Sequence, residues 1–319
     1  MPLRLPVDRY VLAIVATVVL AFVLPCPAGA LSVLGVAARL SIALLFFLYG
    51  ARLAPRAVWQ GLLHWRLQAL VLAATFGLFP LLGLAARVLV PSVLSPEIYL
   101  GFLFLCLLPS TVQSSIAFTG LARGNVAAAV SASSASSLVG MVLTPALVAL
   151  LLGAGGEVSV SGLQDMLLQL QLPFFAGQAA RPWIAALLER RHRLVGLVDR
   201  IAVLLIVYMA VSAATSRGVW HMVRPIDLIG VLLADMALLA LALGIMAAVS
   251  RRLGLPRPDE IVVVFCGGNK GLVTGVSMAG ALLPADIAGL AVLPLILFHQ
   301  VQLIASAALA SWYAQKAPG

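Results

Sequence analysis

Apolar runs of membrane-spanning length follow one another along almost the whole chain, and this repetition constrains the fold more than any single motif. A hydrocarbon core takes about 20 apolar residues in a helix. Runs of this kind occupy residues 30–50, 67–86, 126–152, 226–249 and 287–313, with shorter, almost wholly apolar ones at 10–24 and 201–214. Residues 163–178 form a weaker run, interrupted by Gln164, Gln169 and Gln171 and bent by Pro173. Two more are broken: 98–121 near Pro109, and 260–283 around Gly267 and Gly268. The pattern predicts ten spans, or eight if the broken runs are re-entrant. Of 319 residues, 63% are hydrophobic and 10% charged, whereas a soluble domain is about 45–50% apolar and about 25% charged. A soluble globule cannot hide that much apolar surface, so lipid is the solvent for most of this chain. Cytosolic enzymes, secreted domains, disordered chains and nucleic-acid modules are excluded.

The net charge of +9 sits between the apolar runs, as in the loops of a membrane protein. With the N-terminus inside, fifteen of the twenty Lys and Arg residues fall on inside segments. Three (Arg87, Arg217 and Arg224) fall outside, and Arg39 and Lys270 lie within spans. Both termini are therefore expected in the cytoplasm. The first run follows Arg4 and Arg9 and reads as a transmembrane helix rather than a signal peptide, because many comparable runs follow it. The longest hydrophilic insertion, 179–200, reads as a cytoplasmic linker anchored by basic residues. It leaves no room for a soluble catalytic domain.

The order of segment types recurs. In residues 1–155 three ordinary spans precede a broken run and a long Ser-rich span, and in 156–319 three spans again precede a broken run and a long span. Five is an odd number, so the second copy enters the membrane from the opposite side. Such inverted repeats give transporters their inward-open and outward-open forms, with broken helices meeting near the midplane. The expected fold is an all-α polytopic membrane protein with two inverted five-helix repeats.

At the first break Pro109 lacks an amide hydrogen and its ring opposes the preceding turn. Ser110, Thr111, Gln113, Ser114 and Ser115 follow at once. In hydrocarbon an opened turn persists only where protein, water or ligand satisfies its backbone. These residues read either as a substrate or small-cation site, or as a kink patched by hydroxyls. In the next span Ser133 and Ser137 share one helix face, and Ser136 and Gly140 another. Small residues make a packing seam, and Ser133, Ser134 and Ser137 also qualify as hydroxyl ligands facing the broken helix. At the second break Gly267, Gly268 and Gly271 lower the cost of leaving helical geometry. Asn269 and Lys270 sit inside it. The spacing is wrong for a P-loop. A lysine at that depth pairs with an acid, faces water or serves function, and Asp235 is the candidate charge partner. The final span adds His299, Gln300 and Gln302. Arg39 reads as reaching headgroups or a wet cavity, and Asp286 as a helix cap.

Catalytic and metal chemistry find no support. Cys26, Cys106 and Cys266 are isolated, and His64, His192, His221 and His299 lie in unrelated segments without ligand spacing. No Gly-x-Ser-x-Gly elbow occurs in a strand-to-helix setting. No ATP-binding motif is present, so coupling would come from an ion gradient.

Four stretches carry a family resemblance: Phe46 to Leu53 (FFLYGARL), Leu108 to Ser115 (LPSTVQSS), the serine-rich stretch from Ala122, and Phe265 to Pro284. Through them nearly the whole chain resembles the bile acid:sodium symporter superfamily, and most closely its bacterial SBF-like branch. The resemblance implies a panel domain and a core domain, the latter with two unwound helices crossing at Pro109 to Ser115 and Gly267 to Lys270. It also implies a multi-pass protein of the bacterial inner membrane. In the family, sodium ligands follow the proline of the fourth helix. The family's Ser-Asn pair aligns with Ser114 and Ser115, and a further ligand with Ser133, while Ala129 stands where another hydroxyl would be. On the ninth helix the family's Glu-x-Gly-x-Gln-Asn falls on Phe265, Gly267, Asn269 and Lys270. The acid tied to the sodium sites is thus absent and a cation stands at the crossover, so that Lys270 replaces bound sodium in a uniporter, exchanger or proton-coupled carrier.

The chain therefore reads as a secondary transporter of an organic anion or similar small amphipathic solute, working by alternating access, with Na+ or H+ as the coupling ion and no other cofactor. The rival is a membrane protein that binds a ligand without moving it. Membrane lipid and a small anionic solute are the expected partners, without nucleic acid or an obligate protein partner.

Overall fold

The computed structural model describes residues 9–52, 64–152, 160–216, 218, 224–283 and 285–316. Arg4, Arg56, Arg217 and His221 lie outside them, as does the side chain of Asp286. In chain order the helices are α1 (Arg9–Val23), α2 (Ala28–Arg52), α3 (Trp65–Ala73), α4 (Phe79–Ala85), α5 (Pro96–Cys106), α6 (Val112–Leu121) and α7 (Val126–Leu151). They continue as α8 (Val160–Arg190), α9 (His192–Ser216), α10 (Pro225–Arg252), α11 (Arg257–Gly268), α12 (Leu272–Leu282) and α13 (Ala285–Gln315). A π-helical turn, Ala74–Leu78, joins α3 to α4. Among the described residues six helical segments are long and apolar enough to cross a bilayer. Leu40, Leu81, Leu150 and Leu233 are exposed on the outside, whereas Lys270, Asp235, Asn269 and Gln302 are fully buried. Apolar outside and polar inside is the distribution of a multi-pass membrane protein.

The sequence reading of 179–200 as a linker is corrected. Helix α8 continues through Pro173 and Pro182 to Arg190, and α9 begins at His192. An interior proline removes one hydrogen bond, and in membrane helices neighbouring groups make up that loss. Residues 179–190 extend a helix instead of ending it.

The chain divides into two compact units. One comprises Met1–Leu53, Gly156–Arg224 and Val276–Val292; the other Ala54–Gly155, Pro225–Gly275 and Leu293–Gly319. Each half of the sequence is distributed over both. In the first unit α2 packs along α8, and α9 packs on α1 and α2. Arg52 on α2 pairs with Asp199 on α9 at 2.7 Å.

The second unit holds both breaks, at residues 107–111 and 269–271. One of its ends is pinned by polar contacts. Asn125 caps α7 by accepting from the Ala128 amide at 3.1 Å, and its own amide donates to Asp259 of α11 at 3.0 Å. Glu260, next along, accepts from the Tyr313 hydroxyl at 2.7 Å and pairs with Arg251 at 2.8 Å. These contacts fix the starts of α7 and α11 and the ends of α10 and α13, leaving the breaks to meet deeper in the unit.

Candidate functional site

The two breaks meet. Helix α5 ends at Cys106 and helical geometry resumes at Val112, while α11 ends at Gly268 and α12 begins at Leu272. Between them Ser110 and Lys270 pair as an isolated antiparallel bridge, and the Gly271 amide donates to the Pro109 carbonyl at 3.2 Å. Backbone groups freed by the breaks find side-chain partners, as burial in hydrocarbon demands. The Ser110 amide donates to Ser136 Oγ at 3.1 Å, and Thr144 Oγ1 donates to the Leu107 carbonyl at 2.7 Å. Lys270 has its amide and its carbonyl both taken by Gln302, at 2.8 and 2.9 Å. Gln302 Nε2 also meets His299 Nδ1 at 3.0 Å. Because Gln302 Oε1 accepts from the Lys270 amide, its Nε2 is the donor, and His299 Nδ1 is the acceptor.

The side chain of Lys270 is wholly buried. Its ammonium donates to three backbone carbonyls, Leu108 at 2.7 Å, Thr75 at 3.1 Å and Cys106 at 3.3 Å. It also lies 4.1 Å from the ring centroid of Phe79, within the range of a cation–π contact. Two prolines explain why two of these carbonyls, those of Cys106 and Thr75, are free. In the last turn of α5 the Leu107 and Leu108 amides donate three residues back, to Phe104 and Leu105. In that register the next donor, for the Cys106 carbonyl, is Pro109, which has no N–H. In the π-turn the Phe79 amide donates five residues back to Ala74. The next donor in that register, for Thr75, is Pro80. Each proline orphans one carbonyl, and the ammonium serves both. It also sits at the negative end of α5, where a cation is favoured.

Asp235 does not pair with this lysine. It is fully buried on α10, and neither carboxylate oxygen has a hydrogen-bond partner among the described residues. The ammonium has instead taken three neutral carbonyls. The glycines are corrected as well. Gly267 and Gly268 remain helical, and the break falls at residues 269–271. Their role is close packing against α10: a Cβ on Gly267 would lie 2.5 Å from Met246 Sδ, and one on Gly268 2.6 Å from Leu243 Cδ2. Gly271 lies within the break and has only ordinary contacts. Gly140 on α7 admits Pro109, since a Cβ there would lie 2.6 Å from Pro109 Cβ.

The remaining candidates divide into a buried set and a set nearer the surface. Asn269 is buried between Ser306, which donates to its Oδ1 at 3.0 Å, and Ser115, whose Oγ lies 3.5 Å from its Nδ2. Ser115 itself donates to the Phe265 carbonyl at 3.1 Å. Ser110 is buried with its hydroxyl 3.5 Å from that of Ser115. Ser133 and Ser137 turn back on their own helix, donating to Ala129 at 2.7 Å and to Ser133 at 3.0 Å. Thr111 and Ser114 are half-buried and Gln113 is exposed at the start of α6. Thr111 makes no side-chain cap there, so the first amides of α6 keep the partial positive charge that suits an anion. Arg39 is exposed on α2.

The sequence reading did not single out Thr75, Phe79, Thr144 or Ser306. Signals for some of them existed: Pro80 stands five residues after Thr75, and His299, Gln302 and Ser306 form a polar stripe at helical spacing in an apolar helix. The carbonyl ligands of Lys270 carry no side-chain signal.

Chemically, the crossing presents a fixed cation held by backbone oxygens, a layer of hydroxyl and amide groups, and an uncapped helix start. Among the described residues, no nucleophile–base pair stands in it. Sequence comparison agrees with that reading. The chain is 50% identical over 311 residues to the uncharacterized protein PA2026 of Pseudomonas aeruginosa, covering 97% of this chain and 93% of that one. It is 42% identical over 309 residues to YfeH of Escherichia coli, provisionally named a symporter, covering 96% and 92%. It is 24% identical over 288 residues to sodium/bile acid cotransporter 7 of Rattus norvegicus, covering 88% and 85%. Residues 8–315 match the SBF-like CPA transporter family. The chain belongs to that family, which is one of membrane transporters and not of enzymes.

Proposed function

We propose that this protein is a secondary carrier of a small organic anion or similar amphipathic solute, working by alternating access in a bacterial inner membrane. In this reading it has ten spans in two inverted repeats, 1–155 and 156–319, with both termini cytoplasmic. The single observation that carries the reading is the antiparallel pairing of Ser110 with Lys270, which joins two helix breaks inside an apolar unit. Broken helices that meet are what carriers use to form a site open to either side in turn. The uncapped start of α6, with Thr111, Gln113 and Ser114 nearer the surface, supports an anionic solute. The name of the rat relative, which speaks of sodium and bile acid, supports the same solute class.

The coupling ion is read differently from that name. The Lys270 ammonium takes the carbonyl oxygens that would otherwise attract a free cation, so the crossing carries its own positive charge. Sodium is then not required there. The test is uptake of labelled organic anions, a bile acid among them, into proteoliposomes with sodium and pH gradients imposed separately. Saturable uptake that ignores the sodium gradient is expected. Binding without flux would make the protein a ligand sensor, and uptake driven by sodium would remove Lys270 from its role as the resident cation. Lys270→Met should abolish uptake in protein that remains monodisperse.

A further inference from the structure

Asp235 is a buried group that the crossing does not use. It stands on α10 about 15 Å along the axis from Pro225, deep within a segment apolar enough to span the bilayer. It is fully buried, and both of its oxygens lack a hydrogen-bond partner among the described residues. An ionised carboxylate left so would be an uncompensated charge in a medium that does not tolerate one. A carboxyl group carrying a proton is neutral and fits the same surroundings.

Among the described residues, the elements packed most closely on α10 supply no fixed counter-charge. Helix α10 packs against α11, α4, α5 and the π-turn. The π-turn and α4 carry no titratable side chain. On α11, Glu260 is bonded to Arg251 and Tyr313, Asp259 to Asn125, Arg257 to the Tyr313 carbonyl and Cys266 to the Ala129 carbonyl. On α5, Glu97 lies in the first turn and Tyr99 donates to the Gly83 carbonyl. Cys106, at the other end of α5, is a buried free thiol whose carbonyl is taken by the Lys270 ammonium. Lys270 in turn is held by carbonyls and makes no ion pair with Asp235. A proton is the one cation small enough to neutralise the carboxyl without further ligands.

We propose that Asp235 is the proton-binding site of this carrier, a carboxyl that holds its proton in the conformation described here and exchanges it during transport. This deepens the reading of the protein as a carrier by naming H+ as its coupling ion, and it rests on that reading. The step is a simple exchange: the O–H bond of the carboxyl breaks, the proton passes to water, and the carboxylate keeps the electron pair.

The experiment reads protonation directly and needs no transported substrate. Infrared spectra of the purified protein at neutral pH should contain a protonated-carboxyl stretch that shifts in deuterated water and disappears in Asp235→Asn. Dicyclohexylcarbodiimide, which attacks protonated carboxyls in apolar surroundings, should modify the wild-type peptide that contains Asp235, and raising the pH should protect it. Adduct mapping uses the unaltered chain, so it still decides if the variant misfolds. A stretch unchanged by the substitution in folded protein, or no adduct at Asp235, would overturn the proposal. So would protection by sodium at constant pH, which would make the carboxyl a metal ligand. None of these outcomes depends on flux, so a failed proton site is separable from a protein that does not transport.

Discussion

Replacing Gln302 by leucine removes the side chain that closes the Lys270 backbone while nearly preserving volume. Two groups lose their partners, the Lys270 amide at 2.8 Å and its carbonyl at 2.9 Å, both in a part of the unit without exposed surface. A buried polar group left unpaired costs about 1–3 kcal/mol, so the pair amounts to roughly 2–6 kcal/mol. At roughly 2–4 °C per kcal/mol for a body of about 150–250 residues, the size class of the second unit, its melting temperature should fall by about 4–24 °C. Gln302→Glu grades the effect. A glutamic acid there, protonated because it is buried without a counter-charge, still accepts from the Lys270 amide and donates one hydrogen bond where the amide donated two, so a smaller loss than in Gln302→Leu is expected. The three cysteines are buried and free, and a thiol-reactive dye in detergent therefore reports unfolding. If both variants melt within a degree or so of the wild type, the reciprocal amide pair does not hold the crossing strand, and the argument fails.

Gly140→Leu should displace Pro109 and destabilise the unit by about 1–3 kcal/mol or more, whereas Gly35→Leu, with nothing within 4 Å of its added Cβ, should leave the melting temperature unchanged. Equal shifts would show that α7 does not seat the break. Asn125→Ala removes both the cap of α7 and the bond to Asp259; a loss of about 1–2 kcal/mol is expected, read as a lower melting temperature, with Asn125→Asp recovering the cap but placing like charges together.

Long apolar runs made the six long apolar helices legible, because a helix in lipid answers to length and hydropathy. The same logic failed at 179–200, where polar composition suggested a linker and the structure continues α8 to Arg190. Composition tells where a helix leaves the hydrocarbon, not where it stops being a helix, and no glycine or proline lies between residues 183 and 190 to end it. The breaks were legible to within a few residues. Pro109 marks the first directly, since a missing amide is a property of the residue itself. The glycines mark the second two residues early, because glycine also serves close packing, and at Gly267 and Gly268 the contacts with Met246 and Leu243 are what the residue type answers to.

Lys270 shows why a site is harder to read than a fold. The sequence identified the lysine as anomalous and looked for an acid, since buried charges are paired. The structure answers with backbone carbonyls that two prolines have left unpaired, one in α5 and one at the π-turn. Those prolines are 29 residues apart and about 160 or more from the lysine, so no local window connects them. Yet each is interpretable alone: a proline inside a span leaves a carbonyl that something must satisfy. A chain with two such prolines and one deep lysine therefore contains both the vacancy and the group that fills it. Asp235, the acid the lysine did not take, is left to be neutralised by other means, and the requirement that it be neutral is what directs attention to the proton.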